Sequence, residues 1–351
     1  MIIWIIGNRL QNYAVQEFVK EMNLGEPITI KNDPVTNIDE KNKLKNFLRI
    51  IRGKYLKIKE KIKCNKKKAK SFTEFNKYIK FSRNTFNFIT KNEEYDIYIV
   101  GSDQVWNPNF HRLRDFDLLT FTDSENKIAL AASFGIDELE KQYEEKVGNA
   151  LDKFNIISVR EEQGKKIIEK ILNRNDVEVI LDPTMLIETE KWDKVMTKPI
   201  MMEILKNKKY IFNYFLGELS EKKQLEIKRI ARQNNCEIIN VLDKTDPFYT
   251  CGPSEFLYLE KNAFLICTDS FHSTVFAMLF RRPFIVFDRE DSNVKMNSRL
   301  ETLLKKFLLE DRWFNNKIED KILTAKYDIK EILEDERKRA RKLLEFKEEK
   351  K

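Results

Sequence analysis

The sequence predicts an α/β protein made of two Rossmann-like domains that face each other across a cleft. Three observations carry that expectation. Short apolar runs alternate with amphipathic stretches of helical period, the pattern of a parallel sheet covered by helices. The alternation stops over a mixed, Met- and Lys-rich stretch at 185–205 and then begins again. At 351 residues the chain is long enough for two such units, each with its own core.

The first series opens with a strand at Ile2–Ile6, a polar turn at Gly7-Asn-Arg9 and an amphipathic helix carrying Leu10, Tyr13, Ala14, Phe18 and Val19. Residues 40–90 read as a basic helical insertion, since Leu44, Phe47, Leu48, Ile51, Tyr55, Ile58 and Ile62 recur at helical spacing. A strand from Tyr95 to Val100 then runs into the loop Gly101-Ser-Asp-Gln-Val-Trp-Asn-Pro108. Strands follow at Lys127–Ser133, at Ile156–Arg160 with the helix Glu161–Leu172 behind it, and at Val177–Leu181, closed by Asp182-Pro183. These elements bound a first domain at 1–190. The second series has strands at Tyr210–Phe215, Glu237–Leu242, Ala263–Cys267 and Pro283–Phe287, with helices at Glu221–Asn234 and Ser273–Phe280, a domain spanning 205–325. In the remaining stretch, 326–351, Ile329, Ile332, Leu333, Leu343 and Leu344 fall on one side of a C-terminal helix.

The net charge of +8 hides a strong asymmetry. Residues 41–80 hold sixteen Lys or Arg against Glu60 and Glu74, which leaves the rest of the chain net acidic. Such a segment is either a solvated helical insertion or a contact for a polyanion, of which an anionic membrane surface is one. No nucleic-acid motif accompanies it, so no nucleic acid is expected as a partner. Cys64, Cys236, Cys251 and Cys267 lack the spacing of a zinc site or a disulfide framework. The apolar N-terminus is too short for a signal peptide and no run reaches the length of a membrane span, so a cytoplasmic protein is expected, peripheral to the inner face of the membrane if the basic segment binds there.

In an open parallel sheet, ligands bind beyond the carboxyl ends of the strands, where helix N-termini offer free N–H groups to anions. His272 occupies such a place, between an apolar strand and an apolar helix, and is one of only two histidines. The alternative is that Ser270 or Ser273 caps the helix and His272 is a bystander. Arg160 ends its strand just before a helix and can hold a carboxylate or phosphate, or can pair with Glu161 or Glu162 on the surface. In the 101–108 loop, Ser102, Asp103, Gln104 and Asn107 supply hydrogen-bonding groups and Trp106 a ring, a mixture that fits a sugar or a plain Asx-turn network. Asp182 reads first as a turn former ahead of its proline. Arg9 and Asn12 start a helix without the spacing of a phosphate loop.

Taken together, these segments resemble the polysaccharide pyruvyl transferases. The resemblance rests on Gly7-Asn-Arg-Leu-Gln-Asn-Tyr-Ala-Val-Gln16, the Gly101–Pro108 string, Ser158-Val-Arg-Glu-Glu162, Leu181-Asp-Pro-Thr184, Thr268-Asp-Ser-Phe-His-Ser273 and Asn297-Ser-Arg299, in that order over residues 1–305. It implies a GT-B-like arrangement of the two domains and transfer of pyruvate from phosphoenolpyruvate to a sugar, free or lipid-linked, as a cyclic ketal. It assigns Arg160 and His272 to the donor. Ser270 stands where some members carry a basic residue and Ser273 where glycine is usual, which leaves the missing cationic contact to Arg9 or Arg299. Ser270 and Ser273 then line the donor, Asp103 is the candidate base beside His272, and Ser102, Gln104, Trp106 and Asn107 face the acceptor. The implied chemistry calls for no cofactor, phosphoenolpyruvate being a co-substrate, and no metal ligand set is assigned. A glycosyltransferase using a nucleotide sugar shares the expected layout and is the alternative activity.

Overall fold

Both expected sheets form, and both are wholly parallel. The structure is a computed structural model that describes residues 2–6, 9–31, 55–85, 95–110, 113–289, 298–324 and 326–345. The first sheet has seven strands: β1 (Ile2–Ile6), β2 (Glu26–Lys31), β3 (Phe81–Thr85), β4 (Ile97–Val100), β5 (Lys127–Ala132), β6 (Ile156–Val159) and β7 (Glu178–Val179). Their spatial order is β3-β2-β1-β4-β5-β6-β7. The second sheet, in the order β11-β10-β8-β9, comprises β8 (Tyr210–Tyr214), β9 (Glu237–Asn240), β10 (Leu265–Thr268) and β11 (Phe284–Val286). Strands β4, β5, β6 and β10 are buried along their whole length, as parallel strands covered on both faces must be.

Strand order decides where a ligand can sit. In the first sheet the chain winds outward from β1 through β2 and β3 and then returns to place β4 on the other side of β1. In the second, β9 and β10 flank β8 in the same way. Crevices open at such reversals, beyond the carboxyl ends of the strands. The loops at those ends are the ones after β1 and β4 in one sheet and after β8 and β10 in the other.

The helices that bear on the site are α1 (Arg9–Glu21), α2 (Tyr55–Glu74), α3 (Lys141–Leu151), α4 (Glu162–Leu172), α5 (Glu221–Gln233), α6 (Pro253–Asn262), α7 (Phe271–Leu279), α8 (Ser298–Lys306) and α9 (Lys330–Glu345). One continuous apolar core joins the two halves, running from Tyr13, Val15 and Phe18 of α1 to Val275, Phe276 and Met278 of α7. Trp192 is its hinge pin, with ring centroids 5.4 Å from Tyr13 and 5.0 Å from Phe276. A helix-to-helix core of this kind restricts how far the halves can separate, because opening would expose buried aromatic surface.

The basic insertion departs from expectation. Its residues 40–54 and 86–90 lie outside the described residues, and Phe81–Thr85 within it is not helical but joins the sheet as edge strand β3. Helix α2 crosses the cleft and docks on the second half at Pro247–Thr250. Lys68 Nζ donates to Val241 O at 2.9 Å, Ser71 Oγ donates to Thr250 O at 3.0 Å, and Tyr249 Oη donates to Asn65 Oδ1 at 2.9 Å. The approach is close: a Cβ on Gly252 would lie 2.7–2.9 Å from Ser71, including its backbone, so glycine is required there. Lys66, Lys67 and Lys70 remain exposed on the other side of the helix.

The C-terminal helix α9 returns to the first half. Its buried Leu333, Ala340 and Leu344 pack inward, and Arg337 is buried against the short helix Pro183–Leu186. The guanidinium donates to Met185 O at 2.9 Å, to Ile187 O and to Glu188 at 2.8 Å, which satisfies carbonyls left open at that helix end. Replacing Arg337 by Met should therefore lower stability by roughly 2–3 kcal/mol, the scale of lost charge-assisted hydrogen bonds. A urea titration with an unchanged slope and a lower midpoint is the expected result.

Candidate active site

At the end of β4 the chain must turn within contact of β5. Gly101 has φ +113°, and a Cβ there would sit 2.4 Å from Leu130 O, so no other residue fits. The turn sends Ser102 inward and Asp103 toward the cleft. Ser102 is fully buried; its Oγ donates to Asp182 and accepts from Gln11 Nε2 at 3.0 Å and from the Asp103 N–H at 2.7 Å. Asp103 keeps about a third of its side chain open and places Oδ1 3.7 Å from Arg160.

Asp182 is the centre of this network. Its Oδ1 accepts from Thr184 N at 3.0 Å and Thr184 Oγ1 at 2.7 Å, the cap of the short helix that Pro183 begins. Its Oδ2 accepts from Arg160 Nη1 at 2.8 Å, from Gln11 Nε2 at 3.3 Å and from Ser102, and lies 3.7 Å from His272 Nε2. Burial pushes the Asp182 carboxyl up, but His272, Arg160 and Ser102 more than offset it and hold the group well below the usual carboxylate range. Burial likewise raises the Asp103 carboxyl, and Arg160 and His272 reverse the direction, so both acids are ionised.

Against these acids stand more cations. Arg160 is buried at the end of β6, with its guanidinium 4.3 Å from the Phe271 ring centroid. Among the described residues its Nε and Nη2 have no hydrogen-bond partner. Arg299, from α8, approaches the same ring at 5.9 Å and likewise has no described partner for Nε. Burial, with Arg160 as the next cause, pushes Arg299 down to about 10. His272 lies in the first turn of α7, every other residue of which is buried. Its Nε2 has no hydrogen-bond partner among the described residues. Arg289, beyond β11, is 3.2 Å from Asp269, whose two oxygens accept Leu216 N at 2.7 Å and Gly217 N at 2.8 Å and so fix the loop after β8. Asp103, His272, Arg289 and Arg299 line a cavity of about 420 Å³ between the two halves, and Arg160 and Asp182 lie behind its wall.

The expected residues are thus partly assembled and partly reassigned. Arg160, Asp103, His272, Arg299, Ser270 and Gln104 meet at the cavity or directly behind its wall. The surface pairing weighed for Arg160 does not form. Glu161 instead accepts from Ser133 Oγ and from the Phe134 and Gly135 N–H groups. Neither serine caps α7 with its side chain: Ser270 occupies the N-cap position without a side-chain bond, and Ser273 donates to the buried Glu260. Ser273 therefore faces the interior, not a donor.

Three of the four residues expected at the acceptor are likewise turned inward. Trp106 is wholly buried, its ring tilted against Phe134 at 5.3 Å, with Nε1 donating to Asp117 O at 3.0 Å, so its ring offers no platform. Buried Asn107 accepts from Asn109 N in an Asx turn, and Ser102 serves Asp182. Arg9 lines the cavity but is bound to Asn76 and lies over Phe72, without a bond to the Arg160 cluster among the described residues. Gln11, Phe271 and Arg289 were not singled out beforehand. Arg289 lies three residues beyond the end of β11, and the strand-end rule that flagged Arg160 applies to it as well.

Because Asp182 accepts from a buried guanidinium, Asp182→Asn should cost about 3 kcal/mol at neutral pH. The folded carboxyl is depressed, so its contribution is present above the ordinary aspartate value of about 4 and fades as pH falls through the folded one. The variant should accordingly lose less stability than the native chain between about pH 5 and acid, measured by denaturant midpoints across that window.

The fold and the family can be placed by comparison. A search of the curated proteins finds no significant relative. Among solved structures, the chain is similar to UDP-N-acetylglucosamine 2-epimerase from Rickettsia bellii, at 10% identity and TM-score 0.51 over 99% of this chain and 96% of that one. A putative UDP-N-acetylglucosamine 2-epimerase from Listeria monocytogenes aligns at 12% identity and TM-score 0.47, over 97% and 89% of the two chains. The glycosyltransferase SnogD from Streptomyces nogalater aligns at 9% identity and TM-score 0.38, over 98% and 94%. At such identity the likeness is one of fold, two Rossmann-like domains in the GT-B manner. The sequence profile of the polysaccharide pyruvyl transferases matches residues 6–292, and this chain belongs to that transferase family.

Proposed function

We propose that the protein transfers a pyruvyl group from phosphoenolpyruvate to a sugar of a surface polysaccharide or its precursor, forming a ketal. The observation that carries the reading is the pair of buried guanidiniums, Arg160 and Arg299, set about one phenyl ring with N–H groups unpartnered. Asp182 compensates Arg160, but Arg299 has no carboxylate at ion-pair distance among the described residues, so this second buried charge is costly until an anion joins it. Phosphoenolpyruvate brings two anionic groups on one carbon. Arg160 and Arg299 hold them, with Arg289 at the adjoining wall.

The chemistry asks for an acid and a base. A proton is delivered to the methylene carbon, a sugar hydroxyl attacks the resulting cationic centre, and phosphate departs with its bridging oxygen. A second hydroxyl then closes the ring. His272, open to the cavity and beside ionised Asp182, is the acid. Asp103, ionised and partly exposed, accepts a hydroxyl proton. No helix among the described residues is long and apolar enough to cross a membrane. We place the enzyme in the cytoplasm, with exposed Lys66, Lys67 and Lys70 meeting the anionic inner face of the membrane.

His272→Ala should lower turnover about 10²–10⁴-fold, the usual reach of a general acid, with an unchanged melting temperature. Near-normal turnover in that variant would remove His272 from the mechanism. Arg299→Met should weaken phosphoenolpyruvate binding about 10–100-fold and leave the free protein as stable or more so, since an unpaired buried charge is removed. Thermal shift tests the donor: phosphoenolpyruvate should raise the melting temperature of the native protein more than that of Arg299→Met. No rise with phosphoenolpyruvate, beside a rise with nucleotide sugars, favours a glycosyltransferase.

A further inference from the structure

The cavity is lined by a second pair of cations that the donor does not use. Arg9 and Lys68 have no carboxylate partner among the described residues, whereas Arg160 and Arg289 face Asp182 and Asp269. Arg9 is held by one bond, Nε to Asn76 Oδ1 at 3.0 Å, with its guanidinium carbon 5.3 Å from the Phe72 ring centroid. Neither terminal NH₂ group has a hydrogen-bond partner among the described residues. Lys68 uses one N–H on Val241 O and lies 4.1 Å from the Tyr249 ring centroid, so its partners are neutral too. Both groups are partly withdrawn from water, which lowers the affinity of each for its proton. Half-buried cations fixed by neutral partners, facing a cavity, are complementary to an anion.

We infer that this pair recognises a phosphate group carried by the acceptor sugar, at a subsite completed by the docking of α2 across the cleft. The inference rests on the proposed reaction, because it supposes that the Arg160 cluster takes the donor. Arg9 comes from the helix after β1 and Lys68 from the insertion, which is fixed to the other half through Ser71 and Asn65. Phe72, Tyr214, Pro253 and Phe256 add apolar lining to the same cavity, a surface for the C–H face of a sugar ring. The ligand class is a sugar phosphate or diphosphate. A nucleotide carrier and a lipid carrier present the same group.

The test is calorimetry on the full chain with phosphoenolpyruvate at saturation, which occupies the donor groups. The probes are inorganic pyrophosphate, UDP and farnesyl diphosphate, with glucose as the neutral control. The native protein should bind pyrophosphate and not glucose. The double variant Arg9→Gln/Lys68→Gln should lose about 10–100-fold of that affinity, the scale of one or two charge-assisted contacts. Its affinity for phosphoenolpyruvate should stay within about twofold. Arg9→Lys/Lys68→Arg, which keeps both charges, should retain most of the pyrophosphate binding and guards against a merely misfolded variant. Tighter binding of UDP than of pyrophosphate identifies a nucleotide-linked acceptor, and tighter farnesyl diphosphate a lipid-linked one. If pyrophosphate does not bind the donor-loaded native protein, or binds the Gln variant equally well, the subsite is refuted while the donor reading stands. Failure of phosphoenolpyruvate itself to bind the native protein overturns the donor reading instead.

Discussion

A single buried carboxylate holds the centre together. Asp182 is fully enclosed, and an isolated charge in that position would protonate rather than persist. It persists because Arg160, Ser102, Gln11 and Thr184 donate to it and His272 stands near. Those contacts come from four separate stretches of the first half and one of the second. The pair with Arg160 is not a surplus source of stability, since desolvating both ions consumes most of their attraction. Its consequence is geometric: one edge of the guanidinium is engaged by Asp182, while Nε and Nη2 have no hydrogen-bond partner among the described residues.

The same constraint ties the reacting groups to the fold. His272 belongs to α7, whose remaining residues are buried, so the backbone that carries the imidazole moves only with the helix. That helix in turn packs through Phe276 on Trp192, which contacts Tyr13 of α1. Small adjustments between the halves therefore change the separation of His272 and Asp182 directly. Helix α2 adds a second tie on the opposite lip, with Gly252 admitting the backbone of Ser71. The cleft is bounded by packing on one side and by a docked insertion on the other.

Much of the architecture was legible because parallel α/β units write themselves locally. Buried strands such as Ile156–Val159 are apolar runs of fixed length, and helices such as Glu162–Leu172 show a helical period with Ile167 and Ile168 inward. Strands β2 and β3 were not legible. Glu26–Lys31 contains a proline and Phe81–Thr85 is largely polar; only pairing with neighbours makes either one a strand. Trp106 misled for a related reason. In a polar loop an indole reads as a binding surface, but the turn after Gly101 folds it into the core beside Phe134 and Phe154.

Residue order alone determined the family, the two α/β halves and the candidacy of Arg160, Asp103 and His272, because strand ends and motif strings are local features. The division of labour among those residues depended on distance through space. Asp182 became the hub instead of a turn residue once Ser102, Gln11 and Arg160 converged on it from remote positions. Arg299 gained its place beside Arg160 by sharing Phe271 with it. The basic helix became a wall of the cleft through contacts 173–184 residues away in sequence. Charge, burial and hydrogen bonding act over a few ångströms whatever the separation along the chain, so only the tertiary structure could decide which cations met an acid and which were left for a ligand.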